Sequence, residues 1–272
     1  MEKRIAQYID LNKTNYLEVF ELQKKIAEKR LKNEIPDTII MTEHNPVINF
    51  GMTELYNTFS EKLYYELQEK NIEPTKENAI KYLNEIKKIP FTKTQRGGGA
   101  TYIGPGQLNI YPIIDYEALT NQALGVNKYK DIINELMNNT IQSFKINSKI
   151  DDQNLIRKGK KLEDERSKSG DRKDIWITEN GKHYKLGGRG IHTKGKVAYH
   201  GFNFYVKKGS TNGFEYVNTC GYTPYELKTT SMEEASRKEI NMNDFKERVL
   251  REIQKQFKYT ELKEIKLENI NL

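Results

Sequence analysis

Apolar positions along this chain recur at two spacings. Tyr16, Val19, Leu22 and Ile26 follow one another at helical intervals. They predict a helix over 15–31 that ends before Pro36, with Asn15 and Glu18 placed as a capping box. The β-branched run Thr38-Ile39-Ile40-Met41-Thr42 and, beyond the turn residues Asn45-Pro46, Val47-Ile48-Asn49-Phe50 predict two strands joined by a tight turn. Asn109 to Ile114 reads as a strand, and Tyr129, Ile133, Leu136, Thr140 and Phe144 lie on one face of a helix over 128–146. Ile175-Trp176-Ile177-Thr178 followed by Asn180-Gly181 is the strongest hairpin signal, because these two residues suit the left-handed backbone of a tight β-turn. Phe202, Phe204 and Val206 alternate with Asn203 and Tyr205, another strand. A last helix is predicted by Asp244 and Glu247 as a capping pair and by the stripe Phe245, Val249, Ile253, Phe257. Helices and strands so interleaved predict a mixed α/β fold.

Two stretches break the pattern. Residues 54–88 are highly charged, with Tyr64, Leu67, Ile80 and Leu83 sufficient for one or two surface helices. Residues 150–174 carry eight Lys or Arg and few large apolar side chains, and read as a surface loop. With no repeat and no linker, the expectation is one domain over 1–272 with charged insertions near 54–88 and 150–174.

Composition sharpens this picture. The mean hydropathy is −0.82 and 31% of residues are charged, yet 36% are hydrophobic, with 17 Tyr and 10 Phe, enough for a real core. The 45 Lys and Arg against 38 Asp and Glu give a net charge of +7, which favours acidic partners. No basic helix, zinc-finger spacing or aromatic-basic motif points to nucleic acid. The single cysteine makes no internal disulfide and no thiolate zinc site. Met1-Glu2-Lys3-Arg4-Ile5 leads into polar sequence without a signal core, and no apolar run reaches the length of a membrane span, so the expectation is a cytoplasmic protein with no membrane role.

Candidate chemistry gathers in three clusters. Five glycines fall within the thirteen residues Arg96-Gly97-Gly98-Gly99-Ala100-Thr101-Tyr102-Ile103-Gly104-Pro105-Gly106-Gln107-Leu108. This lets backbone N–H groups approach a ligand, or else builds a bulged hairpin; neither a P-loop nor a dinucleotide motif is present. Gly181-Lys182-His183-Tyr184-Lys185-Leu186-Gly187-Gly188-Arg189 places two lysines beside a turn and a glycine pair. The third cluster runs from Tyr199-His200-Gly201-Phe202-Asn203 to Asn218-Thr219-Cys220-Gly221-Tyr222 and contains the only thiol. A thiol does chemistry when a base or cation generates the thiolate and a backbone wall accepts an oxyanion. His44, His183, His192 and His200 lack the helical pairing of common metal sites.

Taken in order, these clusters resemble the lipoyl(octanoyl) transferase family of lipoate biosynthesis. The resemblance is carried by Glu43-His44-Asn45-Pro46-Val47, by Arg96-Gly97-Gly98 with Thr101-Tyr102 and Gly104-Pro105-Gly106-Gln107-Leu108, by Lys182 five residues before Gly187, by His200-Gly201, and by Cys220-Gly221-Tyr222; it covers about residues 5 to 235. Ile103 stands where the family usually has histidine, and Gly99 where it has a non-glycine residue. The resemblance implies an α+β fold like that of biotin and lipoate protein ligases, a mixed sheet with packed helices. It implies transfer of octanoyl from octanoyl-acyl carrier protein, through an acyl-enzyme on Cys220, to a lysine of lipoyl domains of 2-oxoacid dehydrogenases and of the glycine cleavage H protein. Lys182 is implied as base or cationic partner, with Lys185 as its alternative, and Arg96, Gly97, Gly98, Gly99, Ala100, Thr101, Tyr102, Ile103, Lys185, Leu186, Gly187, His200, Gly201, Phe202 and Asn203 are implied as substrate-binding. No cofactor is implied, because a thioester is already activated. The competing readings are an ATP-dependent lipoate or biotin protein ligase and a non-catalytic acyl- or carrier-binding module.

Overall fold

The computed structural model describes residues 4–52, 58–152, 173–219, 223–225 and 227–270. A nine-stranded sheet forms the body of the molecule. Its strands are β1 (Ile5–Thr14), β2 (Asp37–His44), β6 (Gln107–Asp115), β7 (Ser148–Asp152), β8 (Lys173–Glu179), β9 (Lys182–Lys194), β10 (Val197–Tyr205), β11 (Lys228–Thr229) and β12 (Glu261–Glu264). Their spatial order is β12-β1-β2-β6-β10-β9-β8-β7, with β11 also paired to β9. β1 runs parallel to β12 and β2, whereas β6, β10, β9, β8 and β7 continue antiparallel. A three-stranded sheet, β4 (Phe91–Lys93), β3 (Val47–Phe50) and β5 (Ala100–Ile103), stands apart from it.

The nine residues of β6 are all buried, since helices cover both faces of the sheet at its centre. On one face α5 (Val126–Gln142) and α7 (Met242–Gln256) set Ile133, Leu136, Met137, Phe245 and Val249 against Leu108, Ile110, Ile114, Phe202 and Phe204. On the other, α1 (Tyr16–Leu31) sets Val19, Phe20 and Ile26 against Ile40, Tyr111, Ile113 and Tyr199. Neighbours along β6 thus serve opposite layers, as the two-residue period of a strand requires. The small sheet has its own apolar cluster, in which Leu63, Leu67, Ala79 and Leu83 of α2 (Glu61–Glu69) and α3 (Lys76–Glu85) meet Ile48, Tyr102 and Phe214. Two short helices, α4 (Tyr116–Thr120) and α6 (Met232–Ser236), complete the set among the described residues.

Most predicted elements form. Asn15 caps α1 by accepting from Leu17 N–H, and Asn180 and Gly181, at φ 50° and 72°, make the β8–β9 turn. Ser60 and Thr75 cap α2 and α3 inside the charged stretch 54–88. Other expectations are corrected. β2 and β3 are not a hairpin: both edges of β2 are taken by β1 and β6, so the chain turns at Asn45-Pro46 into the other sheet, where β3 pairs with β4 and β5. The last helix starts earlier than Asp244, because Asn241 is its cap and accepts from the N–H groups of Asn243 and Asp244. α5 ends at Gln142, short of the expected 146. The ends of the 150–174 stretch are strand, in β7 and β8, rather than loop; residues 153–172 lie outside the described residues. Among the described residues no helix is long and apolar enough to cross a membrane.

Candidate active site

Where β9, β10 and the 96–98 loop converge with β5, they enclose a pocket of about 80 Å³ that opens to solvent. Arg96 organises its rim. The guanidinium donates through Nε to Asn49 Oδ1 at 2.7 Å, and through its terminal nitrogens to the carbonyls of Asn49 at 2.9 Å, Gly97 at 2.9 Å and Gly99 at 2.5 Å. A guanidinium so engaged fixes the glycine loop instead of waiting for an anion. Its aliphatic stem lies on Gly190 of β9, where an added Cβ would come within 2.4 Å of Arg96 Cγ. Glycine at 190 is therefore required by close approach.

The apolar wall is made by Ala100, Ile103, Phe202 and Tyr205, with Tyr16 of α1 and Tyr111 of β6 reaching in from neighbouring elements. Ile103 packs with Tyr16 and Val47, so the position that departs from the family adds hydrocarbon to this wall. The floor is a closed polar relay: Asn203 Nδ2 donates to Gln107 Oε1 at 2.7 Å, Gln107 Nε2 donates to the Ser210 carbonyl at 2.9 Å, and Gly188 N–H donates to Asn203 Oδ1 at 3.0 Å. Buried amides satisfied in this way hold one conformation.

His200 is the least satisfied group of the pocket. It is 2% exposed, sits at φ 58°, and is stacked between Phe20 (centroids 5.0 Å apart) and Tyr199 (5.2 Å). Its backbone N–H donates to Gln23 Oε1, while both ring nitrogens are buried without a hydrogen-bond partner among the described residues. Desolvation, reinforced by the positive charge of Arg96 and by His192, pushes its pKa down to about 3, so the ring is neutral at neutral pH. His44 is also buried and neutral, pushed down by desolvation to about 4, and its Nε2 lies 2.8 Å from the Tyr111 hydroxyl. Burial pushes the Tyr111 phenol well up, which keeps it a neutral hydrogen-bonding group at the pocket wall.

The two lysines of the second cluster part company. Lys182 opens β9 opposite Glu179 at the exposed tip of the hairpin and does not line the pocket. Lys185 lines the pocket and is 5% exposed, with Nζ 2.8 Å from Asp174 Oδ2. A β-bulge brings it there: Trp176 pairs with Lys185 but Ile175 with Gly187, so β9 carries one extra residue at this point. Of the other sequence-predicted residues, Arg96, Gly97, Gly98, Ala100, Thr101, Ile103, His200, Gly201, Phe202 and Asn203 also line the pocket. Gly99, Tyr102, Leu186 and Gly187 do not: Gly99 offers its carbonyl to Arg96, Tyr102 packs on Phe214, Leu186 is in the main core, and Gly187 pairs with Phe204. Cys220 lies outside the described residues; Thr219, the residue before it, lines the pocket.

Sequence reasoning missed Tyr16, Asn109, Tyr111, Gly188, Arg189, Gly190, Tyr205, Thr219 and, behind Lys185, Asp174. One signal was available. Lys185 stands five residues before Gly190, the same interval as Lys182 to Gly187, so the lysine-to-glycine spacing had two solutions. The second one is the pair that lines the pocket.

A buried lysine in contact with a carboxylate, a neutral histidine with open nitrogens, glycine-lined backbone and an apolar wall form a site that can take an acyl chain and stabilise charge developing on its carbonyl oxygen. The family model for the lipoyl protein ligase A/B catalytic domain matches residues 15–254 of this chain. The chain belongs to that family. It is 30% identical over 245 residues to a protein of Dictyoglomus thermophilum named octanoyltransferase, an alignment covering 90% of this chain and 84% of that protein. A protein of the same name from Alkaliphilus metalliredigens is 25% identical over 252 residues, covering 92% of this chain and 94% of its own length. Among solved structures, the chain superposes on a putative lipoate protein ligase from T. acidophilum with bound lipoic acid at a TM-score of 0.60 and 10% identity, covering 98% of this chain and 90% of that one. It superposes on a lipoate-protein ligase A bound with ATP at a TM-score of 0.57 and 13% identity, with 98% and 90% covered. These structures share the α+β fold expected from the sequence.

Proposed function

We propose that this chain is an octanoyltransferase that moves octanoyl from an acyl carrier protein thioester to a lysine of lipoyl domains, using Cys220 as nucleophile and Lys185, in place of Lys182, as its cationic partner. The observation that carries this reading is the buried Lys185 in a glycine-walled, apolar pocket also lined by Thr219, the residue before Cys220. Relatives named octanoyltransferase, aligned over most of the chain, support the acyl group and the class of reaction.

In this mechanism the Cys220 thiolate attacks the thioester carbonyl, the carrier thiolate leaves and takes up a proton, and the acceptor amine then attacks the cysteinyl thioester to give an amide and restore the thiol. Lys185 supplies positive charge while sulfur and then oxygen carry the negative charge. The unpartnered nitrogens of His200 supply a hydrogen bond to the bound acyl group or the incoming amine. The wall of Ala100, Ile103, Phe202 and Tyr205 takes the hydrocarbon, whose burial is worth roughly 0.8 kcal/mol per methylene. The whole chain acts as one catalytic domain on this reading, in the cytoplasm, with no cofactor required.

The test is intact-mass analysis after mixing the protein with octanoyl-carrier protein. An octanoyl adduct in the wild type, absent in Cys220→Ala and discharged by added apo lipoyl domain, is expected. Octanoylation of the lipoyl domain from free octanoate and ATP, with no adduct from the carrier thioester, would replace this reading with that of a ligase.

A further inference from the structure

We propose that Asp174 is a positioning residue that holds Lys185 as an ammonium ion aimed into the pocket, so that Lys185 acts as a fixed cation and not as a proton-accepting base. The kinetic consequence rests on the octanoyl-transfer reading; the ion pair itself does not.

The pair is built into the sheet. Asp174 lies on β8 and Lys185 on the adjoining β9, and the bulge at Ile175/Trp176 changes the register between them. The backbone of Lys185 is held on both sides, by pairing to Trp176 of β8 and by its carbonyl accepting from Thr230 N–H beside β11. The side chain runs over Gly188, where an added Cβ would meet Lys185 Cε and Nζ at 3.5 Å, so this backbone forms the bed of the lysine stem. At the end of the stem, Nζ donates to Asp174 Oδ2 at 2.8 Å, and both side chains are less than one-tenth exposed.

Burying an ammonium without a counter-charge is strongly unfavourable, and a lysine in that position sheds its proton. A carboxylate in hydrogen-bond contact reverses the preference and holds the charged form. Asp174 does not itself line the pocket, so it meets Lys185 from behind. Among the described residues the other titratable and charged groups facing the pocket are Arg96 from the glycine loop, Arg189 on β9, His200 and Tyr205 on β10, Tyr111 on β6 and Tyr16 on α1. Two of these are permanent cations and His200 is neutral. Among the described residues no carboxylate lines the pocket. Asp174 is thus the carboxylate, among the described residues in contact with Lys185, that offsets its burial and the neighbouring positive charge.

The test uses the full-length protein with two readouts. Lysine labelled with carbon-13 at Cε, assigned with Lys185→Arg, reports the titration of Lys185 directly. It is expected to stay charged beyond pH 9 in the wild type and in Asp174→Glu, and to titrate lower by about one pH unit or more in Asp174→Asn. Octanoyl transfer is then followed against pH. Asp174→Asn should lose about tenfold or more in kcat/KM, mostly in kcat, with an alkaline limb displaced toward neutral pH, and Asp174→Glu should regain the limb. A Lys185 that titrates below pH 8 in the wild type, that is unmoved by Asp174→Asn, or whose neutralisation raises transfer at neutral pH overturns the proposal. If the wild type transfers nothing, the functional reading fails and the labelled titration still decides the pair.

Discussion

Lys182 and Lys185 stand three residues apart on one strand, and the contrast between the tip and the root of that hairpin is instructive. At the tip, Asn180-Gly181 turns the chain and Lys182 projects into solvent. At the root, one extra residue re-aims the strand, and Lys185 is sealed against Asp174 beneath the glycine loop. The same side chain is a solvating group in one place and a fixed internal charge in the other, because burial and a counter-charge, not residue type, set what a lysine does.

The sharpest way to break this contrast is to truncate each lysine in turn. Lys185→Ala is expected to lower octanoyl transfer about 10²- to 10³-fold while Lys182→Ala stays within about twofold, in a single-turnover acylation assay. Equal losses would erase the distinction between tip and root. Next in size is the close approach that holds the loop over the root. In Gly190→Ala the new methyl meets the Arg96 stem, which cannot yield without releasing its bonds to Asn49, Gly97 and Gly99. A loss of about 1–3 kcal/mol in denaturant unfolding is expected, with transfer falling alongside; an unchanged midpoint would show that the loop can shift freely.

The buried histidines extend the comparison to pH. His44 and His200 are depressed to about 4 and about 3 in the fold, while the unfolded chain titrates near the ordinary value of 6.5. The unfolded state takes up protons first as pH falls. Their contribution is therefore complete above about pH 6.5 and is lost progressively from there toward pH 3–4. Each histidine adds a slope on the order of 1 kcal/mol per pH unit in that window. His200→Asn, tolerant of the positive φ, should remove from the slope of stability against pH its share, on the order of 1 kcal/mol per pH unit. A slope identical to the wild type would count against a neutral, buried His200. Smallest of all is Gly181→Ala at the tip, where φ is 72° and the space around is open. It should cost about 1 kcal/mol of stability from backbone strain and leave kcat/KM unmoved.

Sequence alone determined the elements whose signal is local. The helical stripe of α1 with its Asn15 cap, the stripe of α7, the Asn180-Gly181 hairpin and the alternation in β10 all formed, because periodicity and turn chemistry act over a few residues. Family membership was legible too, because its motifs keep their order along the chain. Tertiary structure alone decided the rest. Whether β3 pairs with β2 depended on which edges β1 and β6 had already filled. The spacing admits both lysines, and which of them enters the pocket was decided with the bulge, while Asp174 gained its place only when β8 was laid beside β9. A motif records which groups are present, but burial, register and the charge on the next strand exist only once the sheet has closed.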